Sequence, residues 1–293
     1  MRKITINLAA VAAFCIVVAS PALVSSSCAT PKTEQEDTTI IREDSGITAL
    51  KYSSPEVPAS IEFCGKTIDL SRFDRHERMD RELLAFTYMH STSLQMLKKA
   101  NRYFPIVEPI LKENGIPDDF KYLMVIESNM NPTARSSAGA AGLWQFMQGT
   151  GRDYGLEVNN NVDERYHIEK ATRAACRYLK DAYAKYKDWV AVAASYNAGQ
   201  ARIASQLAKQ DVDDSLDLQL VEETARYVYR ILAAKQLFNA PTTFGFRLRA
   251  SDLYPPIPYT EITVTKGIAD LARFARSKGI NLAILKNMKI GRA

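Results

Sequence analysis

One carboxylate in this chain sits where ionising it costs free energy. In LMVIESNMNP (123–132), Glu127 follows four apolar residues and precedes a proline by five positions. Apolar neighbours disfavour the charged form, and the negative end of a helix dipole disfavours it again. A glutamate held protonated near neutral pH is what a general acid requires. Periodicity alone also allows a plainer reading, a glutamate on the solvent face of an amphipathic helix.

Three further stretches carry residue types suited to a polar ligand. SSAGAAGLWQFM (136–147) is a small-residue loop running into Trp144, Gln145, Phe146 and Met147. Its glycines let backbone approach a ligand closely, and an amide among aromatics suits hydroxyl and acetamido groups. SYNAG (195–199) puts Tyr196 and Asn197 before a glycine, and RYVYR (226–230) adds Tyr227 and Tyr229. A tyrosine ring packs on a sugar face while its hydroxyl finds a hydrogen bond.

These residues must be held by helices. From Arg75 to about Asn239 the apolar pattern is helical almost throughout. Leu83, Leu84, Phe86, Met89, Leu94 and Leu97 share one helix-like period, and FPIVEPILKENGIP reads as a separate short helix ending at Gly115. A helix starting near Pro117-Asp118-Asp119 must end by Asn131, because the residue before Pro132 avoids helical angles. Ile168, Ala171, Ala175, Tyr178, Leu179 and Ala182 trace another stripe; DWVAVAASYNAG ends at Gly199, and VEETARYVYRILAAKQLF supplies the last long helix. Before this region, IEFCGKTIDL alternates about Gly65 as a short hairpin. After Pro241, strand-like TEITV and a short helix predict a small appended module.

The chain has 293 residues, 46% of them hydrophobic, with a formal charge of +5. That supports a real core and one main domain with a small second one. The basic excess fits an acidic polymer, but no basic run with interleaved aromatics points to nucleic acid. MRK followed by LAAVAAFCIVVA and small residues reads as an export signal. SSSC (25–28) resembles a lipoprotein cleavage site, with Cys28 as the lipidation candidate; a plain signal cut among residues 19–28 is the alternative. ATPKTEQEDTT then reads as a polar tether. Cys64 and Cys176 remain for the folded part; in an oxidising compartment the two could pair, while Cys176 also suits a buried free thiol. His76, His90 and His167 are scattered without metal-ligand spacing, so neither metal nor cofactor is expected.

IES (126–128), SSAGAAGLWQFM, SYNAG and ETARYV (223–228) together resemble, in order, the four motifs of family 1 lytic transglycosylases (SLT domain, glycoside hydrolase family 23). Within that family the chain looks most like the membrane-bound lytic murein transglycosylase D-like group, strongly over 75–240 and loosely over 241–285. The resemblance implies a mainly α fold: a lysozyme-like (goose-type/SLT) helical domain with a small C-terminal α/β appendage. The boundaries are a signal over 1–27, a polar tether and short N-terminal segment over 28–74, the catalytic domain over 75–240 and a C-terminal module over 241–293.

It further implies that peptidoglycan glycan strands are the partner and that the bond cut is the β-1,4 link between N-acetylmuramic acid and N-acetylglucosamine. Glu127 would be the single acid/base, with Tyr227 beside it as a positioning group. Ser128 would hydrogen-bond near the site, Gln145 and Met147 would line the cleft, and Tyr196 and Asn197 would contact sugar. The protein would be exported to the periplasm, and lipid on Cys28 would hold it at the outer membrane. Protein partners are not indicated. Ser195 stands where the family commonly has alanine and Val221 where it often has proline. An ordinary glycosidase needs two carboxylates. Asp153, Glu157, Asp163 and Glu164 lie in polar context and read as surface charges or caps. Two rivals stay open: a hydrolase in which one of those acids activates water, and a peptidoglycan-binding protein without catalysis.

Overall fold

In the computed structural model, residues 4–7, 54–212, 214–259, 261–264 and 267–288 are described. Strand β1 (Ile4–Asn7) falls in the stretch read as an export signal. The remainder of that signal, the Cys28 lipidation candidate and the tether as far as residue 53 lie outside the described residues.

The hairpin about Gly65 is present. Strands β2 (Ser60–Phe63) and β3 (Lys66–Asp69) pair antiparallel, with Phe63 opposite Lys66. The two-residue turn has positive φ at both Cys64 (53°) and Gly65 (81°), the hand that matches strand twist. Ile61, Phe63 and Ile68 are buried against the helices.

Helix α1 (Phe73–Tyr88) buries Arg75, Met79, Glu82, Leu83 and Phe86, one stripe at helical spacing. The chain then breaks at Met89 (φ −81°, ψ 49°) and restarts as α2 (His90–Glu113). This corrects the expectation of a separate short helix over FPIVEPILKENGIP: α2 is continuous through Pro105 and Pro109. Each proline removes a backbone donor, at a cost of about 3 kcal/mol in a helix interior. The buried stripe Met96, Ala100, Tyr103, Val107, Ile110 and Leu111 stays in register across both, so burial carries the helix on.

Helix α3 (Phe120–Ser128) is short and has five buried residues in its first two turns. After α4 (Gln148–Asp153) come α5 (Ile168–Tyr186) and α6 (Trp189–Ala198), then α7 (Gln200–Gln210) and α8 (Glu222–Asn239). Asp188 caps α6 by accepting from Val190 N (3.1 Å). Gly199 alone separates α6 from α7; its φ of 86° is positive but its ψ of 141° is not left-handed helical, so the chain turns sharply and starts again. α8 packs on α1, α3 and α6, which puts it beside most of what the site needs.

Beyond Pro241 the chain runs back along α2. Tyr254 N donates to Lys98 O (3.0 Å), Asn101 Nδ2 to Tyr254 O (3.1 Å) and Arg102 Nε to Pro255 O (2.9 Å). Strand β4 (Glu261–Val264) then pairs antiparallel with β1, and α9 (Leu271–Ser277) and α10 (Leu282–Met288) follow. Ala275, Ile280 and Leu285 form a small core of their own there. The protein is mainly α with a small C-terminal α/β appendage. No helix among the described residues is long and apolar enough to cross a membrane.

Candidate active site

Glu127 occupies the last turn of α3, after Leu123, Met124 and Val125, which are fully buried. Glu127 as a residue is half-buried, and protein surrounds its carboxyl. That enclosure raises its pKa from an ordinary 4.5 to about 7. The Tyr227 hydroxyl donates to Glu127 Oε1, and with the Arg230 charge it pulls in the opposite direction; Glu223 adds to the rise. Desolvation wins. The two residues after α3, Asn129 (φ 49°) and Met130 (φ 58°), are both left-handed without being glycine. Two such residues in succession are costly, and they end the helix one residue past the glutamate.

Residues 134–147 form a tight loop. Gly142 N donates to Ala134 O (2.9 Å), Ser136 N to Ala140 O (2.9 Å) and Ala141 N to Phe146 O (3.0 Å). Arg165 threads it from outside: its Nη1 donates to Gly139 O (2.7 Å) and Phe146 O (2.9 Å), while Nε and Nη2 hold Asp163. Both members of that pair are buried. A Cβ on Gly142 would lie 1.9 Å from Arg165 O, so this glycine makes room for protein backbone. The ligand-approach role expected of it does not apply; Gly139, with open space around it, keeps that freedom.

Trp144 is buried, and its indole N–H donates to Thr172 Oγ1 (2.9 Å). Its carbonyl accepts from the Tyr196 hydroxyl (2.8 Å), which ties α6 to the loop. Tyr196 also meets Phe146 and Tyr178 ring to ring, at 6.2 and 5.1 Å. Burial and the nearby Glu127 charge keep its phenol protonated well above the usual range.

The structure brings Glu127, Tyr227 and Tyr196 together and treats the other residues singled out differently. Ser128 is buried and its hydroxyl donates to Met124 O (3.3 Å), closing the last turn of α3. Gln145 takes a left-handed φ of 48° and its Nε2 donates to Gly142 O (2.7 Å) and Ala134 O (3.2 Å), so the amide nitrogen is spent on the loop. Asn197 Oδ1 accepts from Thr224 Oγ1 (2.9 Å), joining α6 to α8 and leaving Nδ2 as its donor. Met147 is 46% exposed at the start of α4. It borders a polar cavity of about 460 Å³ with Arg135, Gly139, Asn159 and Arg165. A second cavity, of about 280 Å³, lies between Ala198, Arg202, Val221 and Thr224; Glu127 lines neither.

Tyr229, paired with Tyr227 in the sequence reading, is 1% exposed and belongs to the core. Tyr227 is itself buried, so it offers its hydroxyl and not its ring face. Cys64 and Cys176 are both free, and Cys176 is buried.

Comparison with known proteins agrees with the motifs. Residues 105–217 match the family model described as the transglycosylase SLT domain. Over that span the chain is similar to SLT domains. It is 28% identical to membrane-bound lytic murein transglycosylase D of Escherichia coli K12 over 220 residues, 73% of this chain and 47% of that protein. It is 30% identical to the peptidoglycan transglycosylase gp16 of phage T7 over 138 residues, 45% of this chain and 10% of that one. The chain thus spans about half the length of the first of these. Among solved structures, the soluble lytic transglycosylase SLT70 of Escherichia coli matches with a TM-score of 0.44 and 18% identity, covering 61% of this chain and 33% of that one. An inactive variant of the lytic transglycosylase Slt from Pseudomonas aeruginosa matches with a TM-score of 0.41 and 20% identity, over 54% and 26%. The matched span takes in the end of α2, Glu127, the glycine loop and SYNAG; Tyr227 lies beyond it.

Sequence reasoning missed Arg165, Thr172, Thr224 and Glu223. Nothing in ERYHIEKAT marks an arginine that reaches back to Gly139, because the contact spans 26 residues. Glu223 was legible, one turn before Tyr227 in ETARYV, as a second acid on that helix face.

Proposed function

We propose that the protein is a peptidoglycan lytic transglycosylase that cleaves the β-1,4 bond between N-acetylmuramic acid and N-acetylglucosamine without consuming water. The observation that carries this reading is Glu127 itself: a carboxyl with pKa about 7 at a helix end, held by one buried tyrosine hydroxyl. Such a group donates a proton near neutral pH and takes one back afterwards.

Glu127 protonates the glycosidic oxygen as the C1–O bond breaks, while the muramic acetamido group stabilises the cation-like sugar. The glutamate, now charged, removes the proton from the C6 hydroxyl, whose oxygen bonds C1 and closes a 1,6-anhydro ring. The proton ends on Glu127 and the enzyme is restored. Tyr227 donates to the carboxylate formed between these steps, and Tyr196, Asn197 and Met147 contact the glycan strand. Gln145 contributes its carbonyl oxygen and holds the loop; Ser128 acts on the strand only through α3.

Three of the four downstream acids are engaged elsewhere, which supports a single-glutamate mechanism. Asp163 is locked on Arg165, Glu164 pairs with Lys170 and accepts from Glu157 N (2.8 Å), and Glu157 accepts from Asn159 Nδ2 (2.7 Å). One observation favours the hydrolytic alternative: Glu223 is exposed, and its charge reaches Glu127. With Glu223 as a base, water would attack C1 instead.

Mass spectrometry of muropeptides released from purified peptidoglycan separates these readings. Anhydro-muropeptides from the wild type and none from Glu127→Gln are expected. Products heavier by one water that vanish with Glu223→Gln would establish the hydrolase, and strand binding without release would leave a binding protein. Export to the periplasm, with lipid on Cys28, belongs to the same proposal; palmitate labelling lost in Cys28→Ser tests it.

A further inference from the structure

Glu82, on α1, is 1% exposed. A carboxylate removed from water to that extent needs its oxygens paired. Both are. Arg226 Nε donates to Oε1 (2.5 Å) and Arg230 Nε to Oε2 (3.2 Å). The two arginines stand four residues apart on α8, so one buried anion grips two successive turns of that helix.

The grip lies next to the chemistry. At 3.6 residues per turn, Arg226 and Arg230 are separated by about 40° around α8, and Tyr227 lies about 60° beyond Arg230. Glu223 falls between Arg230 and Tyr227. Arg226, Arg230, Glu223 and Tyr227 therefore share a strip about 100° wide, clamped on α1 at one edge and bonded to Glu127 on α3 at the other. Arg230, whose charge favours ionised Glu127, is thus engaged by Glu82 at the edge of the strip away from that acid.

We propose that Glu82 is a positioning residue for the reaction: gripping Arg226 and Arg230 together, it holds the Arg230 charge to itself and away from Glu127. The inference rests on the reading of Glu127 as the acid. The groups facing Glu127 are Tyr227, Arg230 and Glu223 from α8 and Tyr196 from α6. Those facing Glu82 are Arg226 and Arg230, with Glu222, paired to Arg81, close enough to act on Arg226.

The test is the titration of Glu127 by carboxyl ¹³C NMR, alongside the pH dependence of kcat and KM on purified peptidoglycan, for wild type, Glu82→Gln, Arg230→Gln and the double variant. In Glu82→Gln, Arg230 loses its counter-charge, so Glu127 should titrate about half a unit or more lower. The alkaline limb of kcat should move with it, with KM within about twofold. Arg230→Gln should move both in the opposite direction, and the double variant should lie near Arg230→Gln, because the charge that Glu82 restrains is gone. A Glu82→Gln protein that melts lower with the Glu127 midpoint unchanged would overturn the proposal and leave Glu82 a structural ion pair. If Glu82→Gln does not fold, Glu82→Asp, which keeps the charge and shortens its reach, decides: a lowered Glu127 midpoint supports the clamp and an unmoved one overturns it. The titration needs no turnover, so an inactive wild type would sink the functional reading without deciding the clamp.

Discussion

The Tyr227 hydroxyl, buried on α8, donates to Oε1 of Glu127 at the end of α3. The two residues are a hundred positions apart, and the bond joins the first and last of the four motifs. It favours the charged carboxylate, while the enclosure of Glu127 opposes that charge more strongly.

A carboxyl with pKa about 7 is protonated below that pH and loses its proton above it. The rate of bond cleavage should therefore hold below about pH 7 and fall tenfold per unit well above it. Stability carries the opposite signature. The folded pKa is raised above the unfolded 4.5, so the cost of ionising Glu127 in the fold is absent below pH 4.5, grows up to about 7 and is constant beyond. Glu127→Gln should abolish turnover yet melt higher than wild type at pH 8, by roughly 1–3 kcal/mol given that the residue is only half-buried. At pH 4 the difference should vanish, which thermal melts at the two pH values check.

Tyr227→Phe removes a donor that favours ionised Glu127. The alkaline limb should shift to higher pH, and kcat at pH 7 should fall by about 10–100-fold, since the carboxylate formed after proton donation loses its partner. A pH–rate profile measures both. An unchanged limb would mean that the hydroxyl does not govern the acid.

Gly142→Ala places a Cβ 1.9 Å from Arg165 O at a backbone φ of 80°. The neighbour is backbone and cannot swing aside. We expect a loss of about 2–4 kcal/mol and a disordered 134–147 loop, seen as a lower melting temperature and faster amide exchange there. Gly139→Ala meets no atom, so its effect should be confined to the strain of its own positive φ.

Arg165→Lys cannot reproduce a fork that holds Asp163 while donating to Gly139 O and Phe146 O. Arg165→Met leaves Asp163 buried without a counter-ion and should cost about 3–5 kcal/mol. Pairing it with Asp163→Asn should recover part of that loss, and a double-mutant cycle in chemical denaturation reads the coupling.

What the sequence determined by itself was local. Four apolar residues before Glu127 and a proline after it placed that acid at a helix end, because helix termination and desolvation depend on near neighbours. The Cys64-Gly65 hairpin and the stripes of α1, α5 and α8 were legible for the same reason: period and turn chemistry act over a few residues. Their ranking was not. Tyr227 and Tyr229 are two positions apart and alike in kind, yet helical rotation sends one to Glu127 and the other to the core. α2 passes through two prolines because core packing outweighs the lost backbone bonds, and the break falls at Met89 instead. Gly142 answers to Arg165, Gln145 to its own loop and Glu82 to a helix far along the chain. Contacts of this kind depend on which surfaces meet when the helices pack, and one-dimensional spacing holds no record of that.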